Sequence, residues 1–538
     1  MQTLVLFLAM AAASAAADLV VRNARIWTGD PKNPWADSLA VTRDIITAVG
    51  NVKEDGARVI DAQGRLITPG FIDSHVHLVE GGMRLNSVQL RDAKTKKEFI
   101  DRIAAFAKTV PPGTWILGGD WDHQNWGGEL PSRHWIDAVT PQHPVWLHRL
   151  DGHMALANSL ALKKAELDRD TRDVSGGAIV RDAKGELTGL LKDNAMEVMA
   201  EAVPLPDDVA LRKALDAAIA HLNRFGITSV HNVGPLGIEV IRAVQHTGGI
   251  PLRIYQARPL AEWRPLFDFI DANGRGDRWL KMGLVKIFFD GSLGSHTAAF
   301  EKPYTDAPSD NGLLLLTPES VYDSLFAIYP NGLQPAIHAI GDRANHQLLD
   351  VVERASKVLG PRLTRVRVEH AQHLLREDIA RFAKFQLIAS MQPYHLIDDG
   401  RWAEKVIGAE RAKTSWAMKS LLDAGVTLAF GSDWFVAPPN PMEGIYAAVT
   451  RQTLDGKHPG GWTPSERISV EQALRAYTQG GAYASMDEND KGVIAVGKLA
   501  DFAMLDQDIT KIAPEKIRNA KVLLTVVGGK PVFEHKSE

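Results

Sequence analysis

The sequence predicts an α/β protein built on a (β/α)8, TIM-like barrel, and three observations carry that expectation. Eight apolar runs of strand length recur through the middle of the chain, at residues 70–74, 227–232, 252–256, 284–289, 334–338, 365–369, 387–391 and 427–431, and eight parallel strands are the number that closes such a barrel. Helical stretches at 207–225, 343–358 and 415–424 fall between consecutive runs, as the crossover connections of parallel strands require. The rival arrangement, an open doubly wound sheet, lacks the glycine-rich phosphate-binding fingerprint that accompanies it.

Taken in order, residues 1–17 hold an apolar run from Leu4 to Ala13 followed by Ala15 and Ala17 in an A-x-A pattern before Asp18. That pattern reads as a secretory signal peptide and predicts a periplasmic or secreted product. The run is shorter than the roughly 20 residues of a membrane span. Residues 18–69 contain three short β-rich runs, and residues 490–538 contain matching ones in KGVIAVGKLADFAMLD and VLLTVVGGKPVFE. Together they are expected to form one composite small β domain from both termini. The barrel then occupies residues 70–489. Its first two strand runs are separated by about 150 residues, far beyond an ordinary loop, which predicts an inserted subdomain at about 83–206. Within it GAIVRDAKGELTGLL reads as a β-hairpin turning at Ala183, Lys184 and Gly185. An insertion after strand one leaves from the face where barrel enzymes carry their sites, so it is expected to form a wall or lid.

Composition narrows the function classes. With 45% hydrophobic and 23% charged residues the chain is ordinary globular protein. A formal net charge of -4 with interspersed signs provides no basic stripe for nucleic acid or an anionic membrane surface. A small-molecule substrate is expected, and homo-oligomerisation is left open. The absence of cysteine removes disulfides, thiolate nucleophiles and thiolate metal ligands, so any metal must be held by nitrogen and oxygen.

The first strand run ends in GFIDSHVHL, where His75 and His77 at i, i+2 project to one side of an extended chain and can reach one ion. The pair alone is weak, since about 0.6 such pairs arise by chance from 18 histidines in 538 residues. Its weight comes from later strand ends: Lys286 in VKIFFDGS, His338 in PAIHAIGD, His370 in VRVEHAQH and Asp433 in LAFGSDWF. A barrel gathers such ends in one ring. Imidazoles with a carboxylate suit zinc or a similar divalent ion. Lys286 differs, because a protonated amine has no lone pair; it serves as a ligand only if made anionic, for example by carboxylation, and otherwise is a core lysine paired with an acid such as Asp290.

The order HxH, Lys, His, His, Asp, with PGFIDSHVHL, HAIGDRA, EHAQH and GSDWFV around it, resembles the amidohydrolase superfamily. The phrases GGDWDHQNW, LHRLDGHMALANS and GGAIVRDAKGELTG are similar to its amidohydrolase 3 branch, which includes N-substituted formamide deformylases. The resemblance implies a metal-dependent hydrolase barrel with two zinc ions bridged by carboxylated Lys286. His75 and His77 would hold one ion and His338 and His370 the other. Asp433 would be the catalytic acid/base and also one of the metal ligands. The implied reaction is hydrolysis, by metal-activated hydroxide, of a non-peptide C–N bond in an amide, N-formyl or N-acyl compound. The same metal ring also suits ester, lactone or cyclic amide cleavage, and a non-catalytic regulatory protein is the reading from another class.

From the insertion, Trp121, Asp122, Trp126, His148, Arg149 and His153 are candidate substrate contacts; for the tryptophans the packing role is the stronger expectation. His296 in GSLGSHTA stands where the family often carries arginine. His231 is expected inside the barrel, and His346 and His373 on helix surfaces.

Overall fold

The computed structural model describes residues 17–535 apart from 55, 200–201, 247–248 and 361–364. Residues 1–16 of the expected signal segment lie outside the described residues.

Eight parallel strands form one sheet in sequence order: β1 (Phe71–Val76), β2 (Ile227–Asn232), β3 (Arg253–Pro259), β4 (Leu280–Phe288), β5 (Gln334–Ala339), β6 (Arg367–His370), β7 (Ile388–Met391) and β8 (Thr427–Phe430). The ring closes between β1 and β8 through a parallel bridge from Val76 to Trp434. Strands such as β1, β2, β5 and β6 are buried along their whole length, as expected of a parallel sheet covered by helices. The helix Asp208–Asn223 shows why its segment folds as it does. Asp207 caps it by accepting from the Ala210 N–H, and Leu211, Leu215, Ala218, Ile219 and Leu222 form its buried stripe. Asp342–Leu359, which has no side-chain cap, shows a like buried stripe of Leu348, Leu349, Val352 and Ala355.

Several expected boundaries shift, the fourth strand beginning at Leu280 rather than 284, and two of the shifts have a local backbone cause. The helix expected from 415 begins at Met418, because Trp416 adopts a left-handed backbone (φ 45°) and donates its N–H to the Gln372 carbonyl. The sixth strand begins at Arg367, after Arg365 with φ 61°.

Below the barrel, Leu66–Pro69 pairs antiparallel with Phe502–Leu505, in register from Thr68 to Ala503. Both ends of the chain therefore share a six-stranded sheet that also takes in Arg25–Trp27, Trp35–Ala36, Val522–Val527 and Lys530–Glu534. A four-stranded sheet centred on Leu19–Arg22 packs with it around Val21, Leu39, Ile67, Phe502 and Val526. The buried pair of Arg253 and Asp501, 2.6 Å apart, ties β3 to this layer.

Between β1 and β2 the chain builds another six-stranded sheet: Gly177–Arg181, Leu187–Asp193, Met154–Ala157, Val145–Arg149, Ile116–Trp121 and Val88–Gln89 in spatial order. It carries apolar clusters of its own, one around Phe99, Trp121 and Leu147 and another around Trp146, Ile179 and Leu191. The Gly177–Arg181 and Leu187–Asp193 hairpin turns through Gly185, whose N–H bonds the Asp182 carbonyl at φ 79°. Among the described residues no helix is long and apolar enough to cross a membrane.

Candidate metal centre and active site

The closing seam of the barrel is also where the chemistry collects. The Asp433 N–H donates to the His75 carbonyl and the His77 N–H to the Trp434 carbonyl, both at 2.7 Å. The Asp73 carboxylate accepts from the backbone N–H groups of His75 (3.2 Å) and Ser432 (2.9 Å) and from the Ser432 hydroxyl. This lashing needs Gly431, where a Cβ would stand 2.6 Å from the His75 nitrogen and 2.9 Å from Asp73 Oδ1. The result brings His77 Nε2 to 3.2 Å and His75 Nε2 to 3.5 Å from Asp433 Oδ1. His370 and Asp433 hold left-handed backbones, with φ 73° and 59°, each costing roughly 1–3 kcal/mol that the surrounding structure must offset.

The outer hydrogen bonds of the imidazoles fix which nitrogen faces inward. His75 Nδ1 lies 2.6 Å from Glu369 Oε2, so Nδ1 carries the proton and Nε2 keeps its lone pair. His338 Nε2 donates to the Gly291 carbonyl at 3.0 Å, which leaves its Nδ1 lone pair. Glu369 is itself pinned by Arg367 Nε at 2.8 Å, and Arg367 further donates to the Ser74 carbonyl and the Ser390 hydroxyl. Burial alone would raise the Glu369 carboxyl, but Arg367 and His75 hold it well below the usual carboxylate range. Burial, aided by Lys286, pushes His75 down to about 4, and burial holds His338 and His370 well below the ordinary imidazole range. Neutral imidazoles are what metal ligation requires.

These donors fit a divalent ion. His75, His77 and Asp433 present ligand atoms within 4.8 Å of one another, and so do His370, His395 and Asp433. His370 Nδ1 and His395 Nε2 are buried without a hydrogen-bond partner. The rings of His338 and His370 lie 4.5 Å apart between centroids, and those of His75 and His370 5.0 Å. Lys286 is 4% exposed, with Nζ 3.2 Å from His75 Nε2 and 4.7 Å from the centre of the Phe288 ring. Burial pushes its pKa down to about 8. Asp290, the acid weighed as its partner, instead accepts backbone N–H groups from Ala299, Ile340 and Gly341.

Of the candidates in the insertion, Arg149 and His153 line the cleft above this centre together with His338, His370, His395 and Asp433. His153 Nδ1 is held by Asp193 Oδ1 at 2.7 Å, and its ring lies 5.2 Å from that of His338. Asp122 stands behind the wall, bonded to Arg149 at 2.8 Å. Trp121 does not reach the cleft: it is 0% exposed in the core of the insertion and donates to the Leu147 carbonyl. Trp126 packs against Phe99 and Trp135 in the same region. The ring of His148 packs edge-on against Trp146, and His296 pairs with Asp306 at 3.0 Å beside Tyr304; neither is among the residues lining the cleft.

His231 lies inside the barrel, 2.9 Å from Arg367, and His346 is a partly exposed helix residue beside Asp378. The expectation for His373 is corrected: it is fully buried after β6, bonded to the Ser415 hydroxyl at 2.7 Å and packed on Trp416 and Phe300, because the segment leading into the Met418–Asp423 helix covers it. Sequence reasoning missed Glu369, Asp73 and His395. The first two act through neighbours distant in the chain. His395 follows β7 in MQPYHL, and a survey of every histidine just past a strand end would have found it.

A family profile described as "Amidohydrolase family" matches residues 58–533. The chain is 40% identical over 537 residues to the Protein LONG AFTER FAR-RED 3 of Arabidopsis thaliana, a match covering 96% of this chain and 92% of that protein. It is 28% identical over 547 residues to an N-substituted formamide deformylase of Arthrobacter pascens, covering 95% and 97%. The crystal structure of an uncharacterized metal-dependent hydrolase from Pyrococcus horikoshii matches with a TM-score of 0.74 at 26% identity, covering 92% of this chain and 99% of that one. Because the matched residues take in all eight barrel strands and the side chains clustered at their ends, the chain belongs to the amidohydrolase family.

Proposed function

We propose that this protein hydrolyses a non-peptide C–N bond, in an amide, N-formyl or N-acyl compound, of a small molecule. Two zinc ions are proposed, one on His75 and His77 and the other on His338 and His370, bridged by carboxylated Lys286. The observation that carries the reading is the meeting of these side chains with Asp433 at one end of the barrel, beneath a cleft lined by Arg149, His153, His338, His370 and His395. A recessed cleft at a barrel mouth suits a small molecule rather than a folded partner. The deformylase likeness supports the choice of bond.

When bound, such ions lower the pKa of water towards 7 and polarise a carbonyl oxygen. Asp433, seated against His75 and His77, is placed to take the proton of the attacking water and return it to the departing amine nitrogen. Glu369 and the Gly291 carbonyl keep the imidazoles of His75 and His338 in fixed tautomers. Lys286 must lose a proton before its amine adds to carbon dioxide, and its lowered pKa makes the neutral form accessible near neutral pH. Leu150, Leu293, Ile340 and Val436 supply apolar lining for the substituents on either side of the scissile bond.

Turnover of matched N-formyl, N-acyl and ester substrates by the metal-loaded protein tests the assignment. Release of an amine from an N-formyl or N-acyl compound is the expected result; cleavage of esters alone would overturn it. Metal analysis of unstripped protein should return two ions per chain.

A further inference from the structure

The wall of the cleft facing the metal centre carries more carboxylates than cations. Arg149 is held between Asp122 at 2.8 Å and Asp151 at 2.6 Å, and Arg401 between Asp122 at 3.3 Å and Asp398. The fourth carboxylate, Asp399, has no ion-pair partner among the described residues. The one hydrogen bond to it among them comes from Gln372 Nε2 at a long 3.4 Å, and that amide also lies 3.2 Å from His373 Nε2. Two guanidiniums among four carboxyl groups leave Asp399 without a guanidinium of its own. Asp399 lines the same cleft as His370, which is 3% exposed and whose Nδ1 has no hydrogen-bond partner. The cleft thus runs from the proposed reaction centre to a carboxylate with almost nothing to bind.

We propose that Asp399 is a specificity-determining residue that takes a cationic nitrogen at the far end of the substrate. The substrate class is then an N-acylated amine bearing a second, positively charged nitrogen. A protonated amine would give Asp399 the charge-assisted hydrogen bond that its own surroundings do not supply. An anionic tail would find both guanidiniums already committed and would face the carboxyl group of Asp399. This inference rests on the C–N hydrolase reading for its scissile bond, while the recognition of the distal nitrogen stands on the wall itself.

The test compares kcat/KM for N-acetylcadaverine, N-acetylpentylamine and 5-acetamidopentanoate, in the wild type and in Asp399→Asn, both with their metal content measured. The wild type should prefer the cationic substrate over the neutral one by about tenfold to a hundredfold, the range for a hydrogen bond to a charged group, and should disfavour the anionic one. In Asp399→Asn the ratio of cationic to neutral kcat/KM should fall towards one, mainly through KM, with the metal content of the wild type. A purely structural role would lower all three substrates alike and leave that ratio in place, which would overturn the proposal, as would equal use of the cationic and neutral substrates by the wild type. Calorimetric binding of N-acetylcadaverine against N-acetylpentylamine, measured in Asp433→Asn with Asp399 intact and replaced by Asn, separates the two readings. If the wild type hydrolyses no N-acetyl compound but N-acetylcadaverine binds more tightly than N-acetylpentylamine and loses that advantage when Asp399 is replaced, the C–N assignment fails and the cation site stands. Equal binding of the two amides overturns the cation site.

Discussion

Replacing Glu369 by glutamine removes a charge from the most enclosed polar network in the barrel. Glu369 is 0% exposed, and its two oxygens serve His75 Nδ1 at 2.6 Å and Arg367 Nε at 2.8 Å. Removing one member of a buried ion pair costs about 3–5 kcal/mol, because the remaining charge stays buried. Arg367 keeps its bonds to the Ser74 carbonyl and the Ser390 hydroxyl, which places the expectation at the lower end, about 3 kcal/mol. Unfolding entropy of roughly 2.1 cal/mol/K per residue over 538 residues amounts to about 1.1 kcal/mol/K, so the midpoint should fall by about 3 °C. A second effect follows from the tautomer. An amide NH2 facing His75 Nδ1 would move the ring proton to Nε2 and remove the lone pair aimed at the metal centre. Metal affinity should therefore drop about tenfold to a hundredfold, the scale for partners that orient a ligand. Scanning calorimetry on metal-free protein and competition with a chelator read the two effects separately. A variant with the wild-type midpoint and metal affinity would refute the claim that this carboxylate orients His75.

Asp433→Asn should keep its metal while turnover falls by about a hundredfold or more; steady-state kinetics alongside metal analysis checks this, and undiminished turnover removes Asp433 from its role. Lys286→Ala should fail to retain the ion pair, with partial recovery in short carboxylic acids, whereas normal retention of both ions would contradict a carboxylated bridge. Gly431→Ala forces a Cβ to 2.6 Å from the His75 nitrogen, and overpacking of that kind costs roughly 1–3 kcal/mol; denaturant titration should show the loss together with weakened metal retention. His221, stacked on Trp434 at 5.2 Å, is pushed by burial down to about 4 from an ordinary 6.5. The folded state thus resists a proton that the unfolded chain accepts, so this residue's share of stability is present above about 6.5 and is lost as pH falls to about 4. His221→Gln should flatten the stability profile across that window, and an identical profile would show that His221 does not contribute to it.

The barrel was legible because parallel strands buried on both faces write themselves as continuous apolar runs, and all eight runs fall on strands of the ring. His75, His77, His338, His370 and Asp433 were legible as positions because each stands at the end of such a run. Glu369 was passed over although it adjoins His370, since its partner is 294 residues away and only closure of the ring brings them together. Asp399 escaped for a different reason: a carboxylate on a helix end reads as a solvated charge until the insertion is seen to face it. His373 shows the converse error, in which residue type suggests a surface and the local packing decides for the core, whereas Trp121 packs in the core as its bulk led one to expect.

The seam between β1 and β8 joins residues that the chain makes far apart, with Ser432 bonded to Asp73 across 359 positions. Such a closure carries a large loop-closing entropy and belongs among the late steps of folding. The proposed ligand set, split between His75 and His77 on one side and Asp433 on the other, does not exist before that step. An ion held there would act as a clasp, withdrawing the open-seam form from the equilibrium in proportion to its affinity. Hydrogen exchange at the amides of His77 and Asp433 would then slow on metal addition before exchange elsewhere in the sheet changes, making the protection of two backbone protons a measure of how well the barrel is shut.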